Sequence, residues 1–121
     1  MSIRACFTKL KDLEKTEERI IRANEMYRHG DVGVALDLVG TAFTSLALAY
    51  RKNVINTDDW KELSRALREL KEVIESEESI AKINMYTDSA VDTIKMIMFE
   101  KLGECLGVPP KRGVKPKTVK E

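Results

Sequence analysis

The stretch YRHGD (Tyr27–Asp31), followed by VGVALDLVGTAFTSLALAY over residues 32–50, decides the fold. Gly30 suits the left-handed conformation that closes one helix, and Asp31 suits the cap of the next. The run behind them is interrupted mainly by Asp37, Thr41, Thr44 and Ser45. A helix that is apolar almost all round has to be buried by its neighbours. The expectation is a chain organised around one central helix, with the flanking segments covering it.

Upstream, Ile3, Phe7, Leu10, Leu13, Ile20, Asn24 and Tyr27 recur at spacings of three, four or seven, which predicts one helix over Ile3–His29. Its other side is dense in charge, from Lys9 to Arg19. The second helix is expected over Val32–Lys52. There Gly33, Ala35, Gly40, Ala42, Ala47 and Ala49 let neighbouring backbones come close, with Gly40 as the crossing point or as a weak residue tolerated inside a buried helix. Residues 53–58 read as a loop, with Thr57 or Asp58 capping the next helix. Trp60, Leu63, Leu67, Leu70 and Ile74 form a narrow seam that suits one helix of a bundle. Ser76–Ser79 is a polar break, or else the bend of a continuous helix. A fourth helix then runs to Leu106, with Ile80, Ile83, Tyr86, Ala90, Ile94, Ile97, Leu102 and Cys105 on its inner side. Gly107 and the Pro109-Pro110 pair stop it. The expected fold is all-α: an up-down four-helix bundle over residues 1–107 with a basic Pro/Lys tail over 108–121.

Composition narrows the function. The net charge is +1 and charged residues make up 34% of the 121-residue chain, so bulk electrostatic coating of nucleic acid is disfavoured. Gln is absent while Lys, Arg and Glu abound, a balance that points to a thermophilic, archaeal source. The longest apolar run falls short of the roughly 20 residues of a membrane span and contains Asp37. The amino terminus has no apolar signal core. A cytoplasmic protein with no membrane contact is expected.

Catalytic signals are thin. One histidine excludes a multi-histidine metal site, and the two cysteines lack zinc-ligand spacing. Glycine-rich phosphate loops and GxSxG elbows are missing from the sequence. No catalytic residue, metal or cofactor is therefore assigned. His29 is the one imidazole and the remaining candidate acid or base, and its place at a helix end gives it a structural role against the helix dipole. Cys6 and Cys105 come to the same end of an up-down bundle. They can pair as a disulfide or stand as two separate, partly buried thiols, the plainer alternative.

The segments MYRHGDVGVALDLVGTAFTSLALAY and WKELSRALREL resemble the small archaeal helical proteins of the PaREP1 type and the broader HEPN superfamily, through Gly30, Asp31, Ala35, Ala42, Ala47 and Trp60. HEPN ribonucleases carry Arg, four to six residues, then His at the start of a late helix. Arg22 and His29 meet that spacing but precede the Gly-Asp turn, and no later helix holds a histidine. The resemblance thus implies a fold and a binding or regulatory role rather than cleavage.

Three functions follow as expectations. The first is a non-catalytic interaction module, a homo-oligomer or a subunit with a protein partner. Tyr86, Met96, Met98 and Phe99 are its interface candidates, because they exceed what one buried helix face needs. The second is a nucleic-acid-associated subunit of an archaeal defence complex, using Arg22, Arg28, His29, Lys111, Arg112, Lys115 and Lys117. The third is a HEPN-like ribonuclease using Arg22 and His29.

Overall fold

The computed structural model describes residues 3–107, and every regular element among them is a helix. There are five: α1 (Ile3–Lys9), α2 (Lys11–Arg28), α3 (Val32–Arg51), α4 (Thr57–Glu75) and α5 (Ile80–Leu106). The chain is all-α. The tail residues Lys111, Arg112, Lys115 and Lys117 lie outside the described residues, as does the Pro109-Pro110 stop.

The expected first helix is two. It breaks at Leu10, whose φ of −90° and ψ of 3° leave the helical region. Leu10 itself is buried, and the break turns Cys6 into the core while leaving Ile3 and Phe7 outside. The helical spacing of the sequence places both on the inner face, and the break at Leu10 is why they are not there. No glycine or proline marks the site.

Local chemistry accounts for the other boundaries. Gly30 takes φ 86° between α2 and α3, and the Asp31 carboxylate accepts a 3.2 Å hydrogen bond from the Val34 N–H. Asn56, one residue before the expected cap, starts α4. Its side-chain oxygen accepts from the Asp59 N–H at 2.8 Å, and the Asp59 carboxylate accepts from the Asn56 N–H at 3.3 Å, a reciprocal capping box. The polar break before α5 is a true interruption, with the Ser79 hydroxyl accepting from the Lys82 N–H. Gly107, at φ 80°, closes α5.

Packing runs in a ring: α2 against α3, α3 against α4, α4 against α5, and α5 back against α2, with α1 lying on the ends of α5 and α2. The core is built from Leu13, Ile20, Leu46, Leu63, Leu67, Leu70, Ile74, Ile83, Ile94 and Ile97, all fully or nearly fully buried. The Trp60 seam therefore faces inward as its spacing predicts, with Trp60 half-buried and stacked on Tyr50 at 5.2 Å. Ile80, expected on the inner side of α5, is exposed.

The central-helix expectation is overturned. In α3 only Ala35, Val39, Ala42, Ser45, Leu46 and Ala49 are buried, fewer residues than the shorter α4 buries. Three alanines spaced by seven face inward, so α2 and α3 come close, and the larger Leu36, Leu38 and Phe43 move to the flanks, half-buried. Gly33 and Gly40 face solvent: a Cβ built on either meets nothing within 4 Å, so no helix crosses at Gly40.

Candidate interaction surfaces

Each candidate side chain inherits its position from the face of the helix that carries it. On α5 the core residues Ile83, Thr87, Ala90, Ile94 and Ile97 define one side. Met85, Met96 and Phe99 fall on the opposite side by helical spacing. They are 62%, 50% and 59% exposed. Of the four expected interface residues, Met96 and Phe99 thus stand in solvent, while Tyr86 and Met98 are half-buried and pack on the core. Met85, missed by the sequence reading, is exposed on the same helix side, with the exposed Ser89 and Asp92 between it and Met96. Its signal was present, since Met85, Met96 and Phe99 share one helix face opposite the isoleucines.

The outer side of α3 is a second surface, poor in charge and in large side chains. Val34 is 40% exposed, and Gly33, Gly40, Thr41 and Thr44 are exposed beside it. Of α3's own residues only Asp37 and Arg51 bring charge to its exposed side, and Arg19 of α2 reaches its edge, donating to the Thr41 carbonyl at 3.2 Å. By length and composition alone α3 is apolar enough to cross a membrane, a test that buried helices of water-soluble proteins also pass.

The basic candidates do not converge. Arg22, Arg28 and His29 are all exposed on α2 or its C-terminal cap. Arg22 lines a shallow hollow with Lys11, Glu14, Lys15, Glu17, Glu18 and Ile21, in which cations and carboxylates alternate. Arg28 instead borders a cleft of about 410 Å³ between α2 and α5, with Asn24, Asn84, Thr87 and Asp88. A hydrogen-bonded cluster sits there. The buried Asn24 amide donates to Asn84 Oδ1 at 2.8 Å and to Thr87 Oγ1 at 3.0 Å. These neutral groups fix how α2 sits on α5, and they hold neither a nucleophile–base pair nor an oxyanion cradle. Asn24 at an apolar-periodic position was the sequence signal for this cluster. Asn84 and Thr87 gave none until the two helices were brought together.

Other polar pairs tie neighbouring helices. The Thr16 and Ser45 hydroxyls are 2.7 Å apart between α2 and α3, and Lys52 reaches Asp12 at 2.9 Å. Lys101 reaches Asp59 at 3.2 Å, with both side chains largely buried. The Tyr27 hydroxyl donates to the Glu78 carbonyl. Burial, then the nearby Glu77 and Glu78 carboxylates, push its pKa above the ordinary tyrosine value.

Cys6 and Cys105 are joined in a disulfide, with Cα atoms 5.8 Å apart, so the separate-thiol alternative falls. Among the described residues no three His, Cys, Asp or Glu side chains are grouped to hold a metal ion. Comparison of the chain with family models, curated proteins and solved structures finds no match.

Proposed function

We propose that the chain is a helical interaction module that works by docking the apolar faces of its outer helices on a protein partner, a second copy of itself included. The observation that carries this reading is the exposure of Met85, Met96 and Phe99 on α5 and of Val34 on α3, on helix sides that the fold does not need for its core. Met96 and Phe99, one helical turn apart, make a pair of exposed apolar side chains of the kind that marks partner surfaces, whereas single ones are ordinary. The polar clusters, by contrast, are spent on holding helices together.

The scaffold we infer is an up-down bundle of α2–α5, with α1 appended. Contacts between α2 and α5 support opposed directions: the α5 partner falls in number as the α2 side climbs, from Glu17–Lys95 to Asn24 with Asn84 and Thr87. Such a scaffold accords with the HEPN-like resemblance of residues 26–50 and 60–70, and it presents two outer faces at once. The disulfide suits a setting where thiols oxidise, which includes the cytosol of hyperthermophilic archaea.

Sedimentation velocity of the full chain tests the reading. The expected result is concentration-dependent association, or a complex with a partner captured from the native organism, that weakens when exposed apolar residues are replaced by serine. A monomer at millimolar concentration that also captures nothing would count against it. The nucleic-acid reading draws on Lys111, Arg112, Lys115 and Lys117. It requires salt-dependent RNA or DNA binding that deletion of residues 111–121 flattens.

A further inference from the structure

We propose that the outer face of α3 is a self-pairing surface, on which two copies of this chain meet α3 against α3 in antiparallel fashion about a two-fold axis at Thr44. The proposal rests on the interaction-module reading and names its partner. Asp37, Gly40, Thr44, Leu48 and Arg51 lie on one side of α3, opposite Ala35, Val39, Ala42, Leu46 and Ala49. Their spacing reads three, four, four, three, the same in either direction from Thr44. A two-fold interface requires a patch complementary to itself, and this one is.

Charge fixes the direction. Asp37 lies seven residues before Thr44 and Arg51 seven after. Antiparallel pairing sets each Asp37 opposite the other copy's Arg51, giving two ion pairs roughly 21 Å apart along the helix. Parallel pairing would oppose Asp37 to Asp37 and Arg51 to Arg51, which is repulsive at both ends. Both residues are exposed, and neither has an ion-pair partner among the described residues.

Shape agrees with charge. Gly40 and Leu48 stand four residues either side of Thr44, so each Leu48 faces the other copy's Gly40. The space outside Gly40 is open, and Leu48 is half-buried without joining the side chains that pack on the core. A leucine projecting over a bare stretch of backbone is ridge against groove. Desolvation is also light. The Thr44 hydroxyl donates to the Gly40 carbonyl at 3.3 Å and the Thr41 hydroxyl to the Leu38 carbonyl at 2.9 Å, so the centre of the face holds no hydroxyl proton in need of a new acceptor.

Equilibrium sedimentation of the full chain at low ionic strength, compared across variants, tests the proposal. Asp37→Arg and Arg51→Asp should each raise the dimer dissociation constant about tenfold or more, since the two-fold doubles every lost attraction and added repulsion. The double exchange Asp37→Arg/Arg51→Asp should restore it to within about threefold of the parent. Gly40→Leu should weaken the dimer while the melting temperature holds or rises, because glycine is the poorer helix residue. Thr44→Cys should crosslink to itself with a short bis-maleimide, which leaves the native disulfide untouched. A chain that stays monomeric at millimolar concentration overturns the proposal and self-association with it. A dimer indifferent to the charge exchanges but broken by Met96→Ser/Phe99→Ser overturns the α3 face alone and leaves the module reading standing. Co-flotation with phosphatidylglycerol vesicles, lost in Leu48→Asp, assigns the face to lipid and likewise overturns the proposal.

Discussion

Replacing Cys6 and Cys105 together by alanine removes a bond between residues 99 positions apart, so nearly the whole described chain is one closed loop. On the chain-entropy account, opening a loop of about 100 residues releases roughly 4.7 kcal/mol of constraint on the unfolded chain. Cys6 is fully buried, and trimming its sulfur adds about 1 kcal/mol for the small void left. The sum is comparable to the whole stability of many domains, which is about 5–15 kcal/mol. In thermal unfolding it corresponds to a fall of roughly 15–25 °C. Urea denaturation of the disulfide-bonded protein, the reduced protein and the double variant should place the last two together, well below the first. The slope carries separate information. If α1 leaves the bundle once the tie is cut, the reduced form exposes less new surface on unfolding and its m-value drops. A stability loss under about 1 kcal/mol with an unchanged m-value would refute the reasoning. It would mean that the unfolded chain already keeps the ends of α1 and α5 together.

Leu46→Ala should cost about 3–4 kcal/mol in urea denaturation, since the side chain is fully buried, whereas the half-buried Phe43→Ala should cost clearly less. Ser64→Ala should be neutral or stabilising by up to about 1 kcal/mol, because the buried Ser64 hydroxyl has no hydrogen-bond partner to lose. Lys101→Met strands the buried Asp59 carboxylate and should cost about 3 kcal/mol, measured the same way. Tyr27 has a raised folded-state pKa, so the folded protein holds that proton more tightly than the unfolded chain does. Its contribution is complete below the ordinary tyrosine pKa and declines as pH climbs through the raised value, so Tyr27→Phe should flatten the alkaline end of the stability profile.

Local signals were legible because the chemistry they encode is local. Gly30 needs its left-handed backbone wherever the rest of the chain lies, and Asp31 and Ser79 cap within three residues. The α4 seam reads correctly because Leu63, Leu67, Leu70 and Ile74 are large and apolar against a strongly charged background. The break at Leu10 was not legible. No local breaker encodes it, and it coincides with the turn that brings Cys6 to Cys105, at the far end of the chain. The Asn24 cluster was half legible, since one polar residue on an apolar face can be seen but its partners on α5 arrive only through packing. The basic tail lies outside the described residues.

The misreading of α3 carries the physical lesson. Counting apolar residues assigns a helix to the interior, but what faces inward is set by the closeness of the contact. Ala35, Ala42 and Ala49 share the inward side with Val39 and Leu46 and permit a close α2–α3 approach, while Leu36, Leu38 and Phe43 lie half-buried on the margins. The opposite side of α3 is then free of packing demands, as is the opposite side of α4. The two sides are dressed differently. On α4 that side carries Lys61, Glu62, Arg65, Arg68, Glu69, Lys71 and Glu72, the ordinary dress of a solvated helix. On α3 it carries Val34, Gly33, Gly40, Thr41 and Thr44, with one acid and one base placed evenly about the middle. Folding asks the same of both surfaces, and the proposed self-pairing of α3 is our account of the difference between them. A surface that contacts a partner accounts for the glycines, the locally satisfied threonines and the two isolated charges together, whereas a requirement of the core accounts for none of them.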